Sequence, residues 1–344
     1  MENKQILIAG AGSIGTVLGL YLQRQGHYVK LLRRRGSSGR NTIKLVGVDE
    51  FSEDMHVISK NAYNQNFKPD LIILASQRQQ LSTLLEDVLD ILKLNPKSIL
   101  VSTQNGLQVP QTIDKFLEKH NFSDIKIIQA IIWWSATLVD DTQVLYHNKA
   151  DTIIGIPNAL HRGDKNTLDL VFDLLHDNFT VEKTENIEST SQYKLILNIV
   201  SPILALLKQP YPTALNDLIT RKIVHSAFDD VVTIAQKAGW FEWDDRLRNF
   251  HTILTTNKLL DHYSLSGKYP IHKVSTQISA EKYGGKNSNA YELLYYFIER
   301  QSQIAKILLD LVEQLEPNYT AMTSSELYNL LEKHITNTCN LVIE

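Results

Sequence analysis

Residues Ile6-Leu7-Ile8-Ala9 run straight into Gly10-Ala11-Gly12-Ser13-Ile14-Gly15, and an apolar-periodic stretch from Thr16 to Gln25 follows. The order predicts a buried strand, a glycine turn and a helix. Gly10 suits a turn that a side chain would obstruct, Gly12 lets backbone amides approach a ligand, and Gly15 lets helix and strand pack closely. A helix N-terminus gathers free N–H groups and the positive end of the helix dipole, so the ligand such a turn accepts is anionic, a dinucleotide pyrophosphate above all. A second strand, His27 to Leu32, begins just past Gly26. It supplies the context that a lone glycine motif lacks, and Gly10, Ala11, Gly12, Ser13, Ile14 and Gly15 are the expected pyrophosphate residues.

A site for NAD would close that second strand with Asp or Glu, to hold the ribose 2′-hydroxyl. This chain has Arg33-Arg34-Arg35 there, with Arg40 a little later. Guanidinium groups form charge-assisted, fork-shaped hydrogen bonds to phosphate, so the cofactor expected is NADP(H), with Arg33 and Arg34 on its 2′-phosphate. A solvated basic loop is the competing explanation.

A chain of 344 residues is long for one core, and two domains are expected. A net charge of −3 argues against a general nucleic-acid or anionic-membrane surface, which needs a basic field over a whole face. One cysteine, Cys339, builds neither a disulfide framework nor a cysteine-rich metal site, and the histidines show no metal-ligand spacing. The N-terminus enters the first strand without an apolar segment, so a cytoplasmic location is expected. The longest apolar run, Leu195 to Leu207, is interrupted by Asn198, Ser201 and Pro202 and reads as too short and polar for a membrane span.

Strand-like runs at Lys4–Ala9, Tyr28–Arg33, Leu71–Ala75, Ser98–Ser102, Ile125–Trp133, Thr142–His147 and Thr152–Ile156 alternate with helical ones at Leu81–Leu94, Val109–Lys119 and Thr167–Asn178. Beyond Glu188 the β-runs stop, and Tyr193–Leu207, Leu215–Ala238, Asp244–Leu260 and Tyr291–Leu315 carry helical periodicity. The expectation is an α/β Rossmann-type dinucleotide-binding domain over residues 1–185 and an all-α domain over 186–344. The polar stretch Val181–Ser191 serves as hinge, and ligand sits where the domains meet.

Reducing a carbonyl requires a proton donor for the developing alkoxide. Lys194 is the best candidate. On a continuous helix, spacings of four and seven residues place Asn198 and Ser201 on its face, and an amide, a hydroxyl and an ammonium on an otherwise apolar helix belong in a wet cleft rather than a core. Pro202 would kink that helix. A lysine snorkelling to solvent is the alternative.

Together, Ile8 to Gly15, Gly26-His27, Gln104-Asn105-Gly106, Tyr193-Lys194-Leu195 with Asn198 and Ser201-Pro202, and Ser275 resemble the ketopantoate reductase (2-dehydropantoate 2-reductase) family, up to about residue 315. The resemblance implies Lys194 as general acid, Asn105 beside nicotinamide and substrate, Asn198 and Ser275 on the substrate, with Ser201 at a substrate position where the family commonly has another asparagine, and Arg34 on the 2′-phosphate. Gln77 stands where the family has a lysine near cofactor and substrate. Asn289 stands where it has a glutamate that holds the substrate hydroxyl, with Glu281 and Glu292 as alternatives in another register. The implied reaction is NADPH-dependent reduction of a small-molecule 2-oxo acid to a 2-hydroxy acid; a homodimer is one candidate assembly, and the sequence leaves the oligomeric state open. Two other readings stay open: a different oxidoreductase on this scaffold, opine-type or acting on another 2-oxo acid, and a non-catalytic NADP-binding regulator. Trp133-Trp134 is expected to serve packing, and no Gly-x-Ser-x-Gly elbow or Walker loop supports hydrolysis or phosphoryl transfer.

Overall fold

The computed structural model describes residues 2–34, 38–60, 66–106, 108–158, 160, 162–209, 214, 216–240, 294, 297–300, 302–314 and 320–332. The chain divides into two compact units, Met1–Ser191 and Gln192–Glu344.

The first unit is built on β1 (Gln5–Ala9), whose residues point alternately to two faces. Ile6 and Ile8 enter one apolar cluster; Leu7 and Ala9 enter another. A strand apolar on both faces needs cover on both, and helices provide it. Helices α1 (Ser13–Arg24) and α4 (Lys165–Leu175) supply Val17, Leu18, Val171 and Leu174 to the first cluster; α2 (Leu81–Leu94) and α3 (Val109–Lys119) supply Leu84, Val88, Ile113 and Leu117 to the second. Ile6, Leu7 and Ile8 have no exposed surface, and burial of each side chain contributes about 1.5–3 kcal/mol.

Around β1 the sheet extends through β2 (Tyr28–Leu32), β5 (Leu71–Leu74), β6 (Ile99–Ser102) and β7 (Lys126–Ile132), all parallel. With β3 (Gly39–Gly47), β4 (Phe51–Ile58), β8 (Ala136–Leu138), β9 (Gln143–Tyr146), β10 (Thr152–Gly155) and β11 (Val181–Lys183) it reaches eleven strands, in the order β11-β10-β7-β6-β5-β1-β2-β4-β3-β9-β8. The structure adds two strands and corrects one expectation here. The region 39–58 is an antiparallel pair of strands, and Val181–Lys183 is an edge strand rather than part of a hinge. Both edge strands, β8 and β11, are three residues long, which limits the open pairing surface they present.

Among its described residues the second unit holds helices and no strand: the end of α5 (Ile187–Leu197), then α6 (Val200–Leu207), α7 (Leu218–Lys237), α8 (Gln303–Glu313) and α9 (Ser324–Leu331). Side-chain caps set where three of them start. Asp217 accepts from Ile219 and Thr220 at the head of α7, Ser302 accepts from Ala305 at the head of α8, and Thr323 with Glu326 forms a capping box on α9. The expected helix over Asp244–Leu260 lies outside the described residues. The expected single helix through Tyr193–Leu207 is two helices. Asn198 N–H bonds to Leu195 O, Ile199 N–H to Ile196 O, and Ser201 N–H to Asn198 O. These tight i→i−3 bonds stand in for the bond that Pro202, having no N–H, withholds from Asn198 O. An 18-residue window within Ile187–Leu207 has mean hydropathy 1.2, enough to cross a membrane by length and composition alone, and 67% of that window is buried inside the protein.

Candidate active site

The glycine turn leaves β1 at Gly10, whose φ of +88° is left-handed backbone, and a Cβ there would lie 2.8 Å from Ser76 N. Gly15 has the same constraint: its Cβ would meet Gly10 O at 2.7 Å and Ile8 Cγ2 at 2.8 Å. Gly12 differs. It is exposed, and no protein atom lies within 4 Å of where its Cβ would be. Protein packing does not require glycine there, whereas a pyrophosphate drawn onto the backbone does. Gly12 is also the N-cap of α1, no side chain caps that helix, and its first turn holds no acidic residue. An uncapped helix N-terminus behind an open glycine fits a dinucleotide phosphate. Ala11 is buried, Ile14 is half-buried, and the Ser13 hydroxyl accepts from Leu138 N–H at 2.9 Å, which fixes the turn against β8.

The three arginines separate. Arg33 is buried under the turn. Its Nε donates to Ala11 O at 3.2 Å, one terminal nitrogen donates to Asp141 O at 3.0 Å, and the other approaches Thr16 Oγ1 at 3.4 Å. Burial lowers its proton affinity and the Asp141 carboxylate opposes that shift. Its guanidinium therefore braces the turn, with its donors on Ala11, Asp141 and Thr16. Arg34 projects outward, where its Nε donates to Asp87 Oδ2 at 2.7 Å and its terminal nitrogen lies 2.6 Å from the same oxygen. Lys60 Nζ sits 3.0 Å from Asp87 Oδ1. Arg35 lies outside the described residues, and Arg40 is exposed on β3 opposite His56.

Two further loops leave the same carboxyl end of the sheet. Gln77 is exposed as it leads into a 3₁₀ turn, Arg78–Gln80. Asn105 follows β6, and its Oδ1 is buried with no hydrogen-bond partner among the described residues. Gln104 joins the two loops. Its Oε1 accepts from Ser102 Oγ and its Nε2 donates to Ser76 Oγ, each at 2.9 Å. Sequence reasoning did not single out Lys60 and Asp87; Lys60 follows a strand end, and Asp87 sits mid-way along α2, where an acidic residue reads as solvated.

In the second unit Lys194 is half-buried on α5, and desolvation lowers its pKa to about 7. Asn198 lies in the turn between α5 and α6 and Ser201 in the first turn of α6, both half-buried. The three residues thus sit on two helices and a turn rather than on one helical face. Ser275, Asn289, Glu281 and Glu292 lie outside the described residues. No group of three or more His, Cys, Asp or Glu among the described residues is arranged to hold a metal.

Residues 6–159 match the family model described as ketopantoate reductase PanE/ApbA. Over this segment the chain is similar to the ketopantoate reductase family. A curated 2-dehydropantoate 2-reductase of Lactococcus lactis subsp. lactis (strain IL1403) is 29% identical over 123 residues, 34% of this chain and 38% of that protein, so the match spans well under half of that relative. Among solved structures, the 2-dehydropantoate 2-reductase of Geobacter metallireducens GS-15 superposes with a TM-score of 0.70 at 21% identity, over 90% of this chain and 99% of that one. A D-mandelate dehydrogenase solved with NADH and anilino(oxo)acetate gives 0.69 at 17%, over 90% and 97%. A dimeric ketopantoate reductase of Staphylococcus aureus gives 0.57 at 18%, over 96% and 99%. At these identities the likeness establishes the fold alone, an N-terminal mixed sheet followed by helices.

Proposed function

We propose that this chain is an NADPH-dependent reductase that converts a 2-oxo acid, ketopantoate first among candidates, to the 2-hydroxy acid. The observation that carries the proposal is Lys194, a lysine whose pKa of about 7 makes it a proton donor at neutral pH, on a chain whose residues 6–159 match the ketopantoate reductase family model. Bound NADPH would supply hydride to the carbonyl carbon. Lys194 delivers the accompanying proton to the carbonyl oxygen, so the product is an alcohol and the lysine is left neutral. The Gly10–Gly15 turn holds the pyrophosphate, Arg34 the 2′-phosphate, and Asn105 the nicotinamide and substrate. Asn198, Ser201, Ser275 and Asn289 hold the rest of the substrate. Gln77, uncharged where the family has lysine, and Asn289, uncharged where it has glutamate, favour a substrate range shifted from that of a typical member. The assembly expected is a homodimer.

The test is NADPH consumption followed by nicotinamide absorbance against ketopantoate and a panel of 2-oxo acids, each with and without amines. Turnover of a 2-oxo acid alone supports the proposal. Turnover only with an amine present would make this an imine reductase, and binding without any turnover would leave a cofactor-binding regulator.

A further inference from the structure

The end of β2 lies beside the end of β4, with Leu32 and Ile58 paired in parallel register. Arg34 and Lys60 each follow two residues beyond, so equal overhang on adjacent strands brings two cations to one level. Two cations side by side repel unless an anion lies between them. Asp87 on α2 is that anion: 5% exposed, it gives one carboxylate oxygen to Arg34 and the other to Lys60. Both cations remain substantially exposed, at 43% and 56% of their side chains. Asp87 occupies one edge of the Arg34 fork and one direction around the Lys60 ammonium, and donors on both are left for a second anion. In a Rossmann-type sheet the end of the second strand faces the adenosine ribose.

We infer that Lys60 is a second ligand of the cofactor 2′-phosphate, paired with Arg34, and that Asp87 is the positioning residue that keeps the two cations side by side. The inference rests on the NADPH reading above and extends it to residues that the motif does not contain. Buried and shared, the carboxylate orders two long side chains before the cofactor arrives, which removes part of the ordering cost of binding. A phosphate bound by two cations also discriminates more sharply against a ribose hydroxyl than one bound by Arg34 alone.

The experiment measures dissociation constants of NADPH, NADH and 2′,5′-ADP for the full-length wild type, Lys60→Met, Asp87→Asn, Asp87→Glu and Arg34→Met, with the melting temperature of each. Wild type is expected to prefer NADPH. Lys60→Met should weaken NADPH and 2′,5′-ADP about tenfold, near 1.4 kcal/mol, with NADH unchanged within twofold. Asp87→Asn should lower the NADPH-to-NADH preference in the same direction, and Asp87→Glu should restore part of it. A merely structural role for Asp87 would weaken both dinucleotides alike. A wild type without preference overturns the NADPH reading and this inference with it. A wild type whose preference falls in Arg34→Met but survives in Lys60→Met overturns only the inference, as does an Asp87→Asn protein that binds NADPH more tightly than wild type.

Discussion

Desolvation of Lys194 has two consequences of opposite value. A pKa near 7 makes the ammonium a ready acid, so for reduction the protonated form is the active one. The value of kcat/KM for the 2-oxo acid should be flat below about pH 7 and fall about tenfold per unit above it, while alcohol oxidation gains over the same range; a flat profile to pH 9 would remove Lys194 from the acid role. The cost appears in stability. The folded pKa lies below the lysine reference of 10.5, so the penalty for a buried charge is complete below about 7 and fades as pH rises toward 10.5. Lys194→Met should therefore melt higher than wild type at pH 6, with the gain gone near pH 10, while kcat drops by roughly 10²–10⁴-fold. The adjacent arginines differ just as clearly. Arg33→Met strips Ala11 O and Asp141 of a buried partner at about 1–3 kcal/mol, so it should lower the melting temperature and weaken NADPH and NADH alike. Arg34→Met should weaken NADPH alone. Calorimetric titration with both cofactors separates the two patterns.

At the level of elements, the glycine turn sorts its residues by what surrounds them. Gly10→Ala forces a Cβ into Ser76 at a positive φ, and the fold should lose stability. Gly12→Ala meets no protein atom, so its melting temperature should stay within the ~0.5 kcal/mol of a surface change while cofactor affinity falls tenfold or more, ~1.4 kcal/mol. A Gly12→Ala protein with wild-type affinity would mean that the turn holds no phosphate. Much of this was readable beforehand. The runs that became β1 and β5 are apolar on both faces, those of β2, β6 and β7 are largely apolar, and α2 and α3 begin and end where the periodicity does. The strands β3 and β4 were not read, because they carry polar residues on their exposed face and only Ile43, Leu45, Met55 and Val57 mark the buried side. The break between α5 and α6 was foreshadowed by Pro202, though not its position at Asn198 and Ile199. Of the site, the motif residues were visible. Asp87 was not, since a single acidic residue in an amphipathic helix reads as solvated until the strand ends facing it are known.

For the whole molecule, cofactor binding and stability are linked. A ligand present at a hundred times its dissociation constant adds about 2.7 kcal/mol to the state that binds it. NADPH should accordingly raise the melting temperature of the wild type, and NADH at the same concentration should raise it less. Equal shifts would mean that the basic end of β2 contributes nothing to cofactor choice. Sheet order adds a consequence of another kind. Strands β3 and β4 pair with each other early in the chain, yet the next strand outward, β9, is built from residues about a hundred positions later, with Lys44 opposite Gln143. During synthesis, at roughly 5–20 residues per second, the outer edge of β3 stays open for several seconds until residue 146 clears the ribosome. That interval is when the nascent chain is most exposed to wrong pairing, and a chaperone that shields β-edges would act on this protein then.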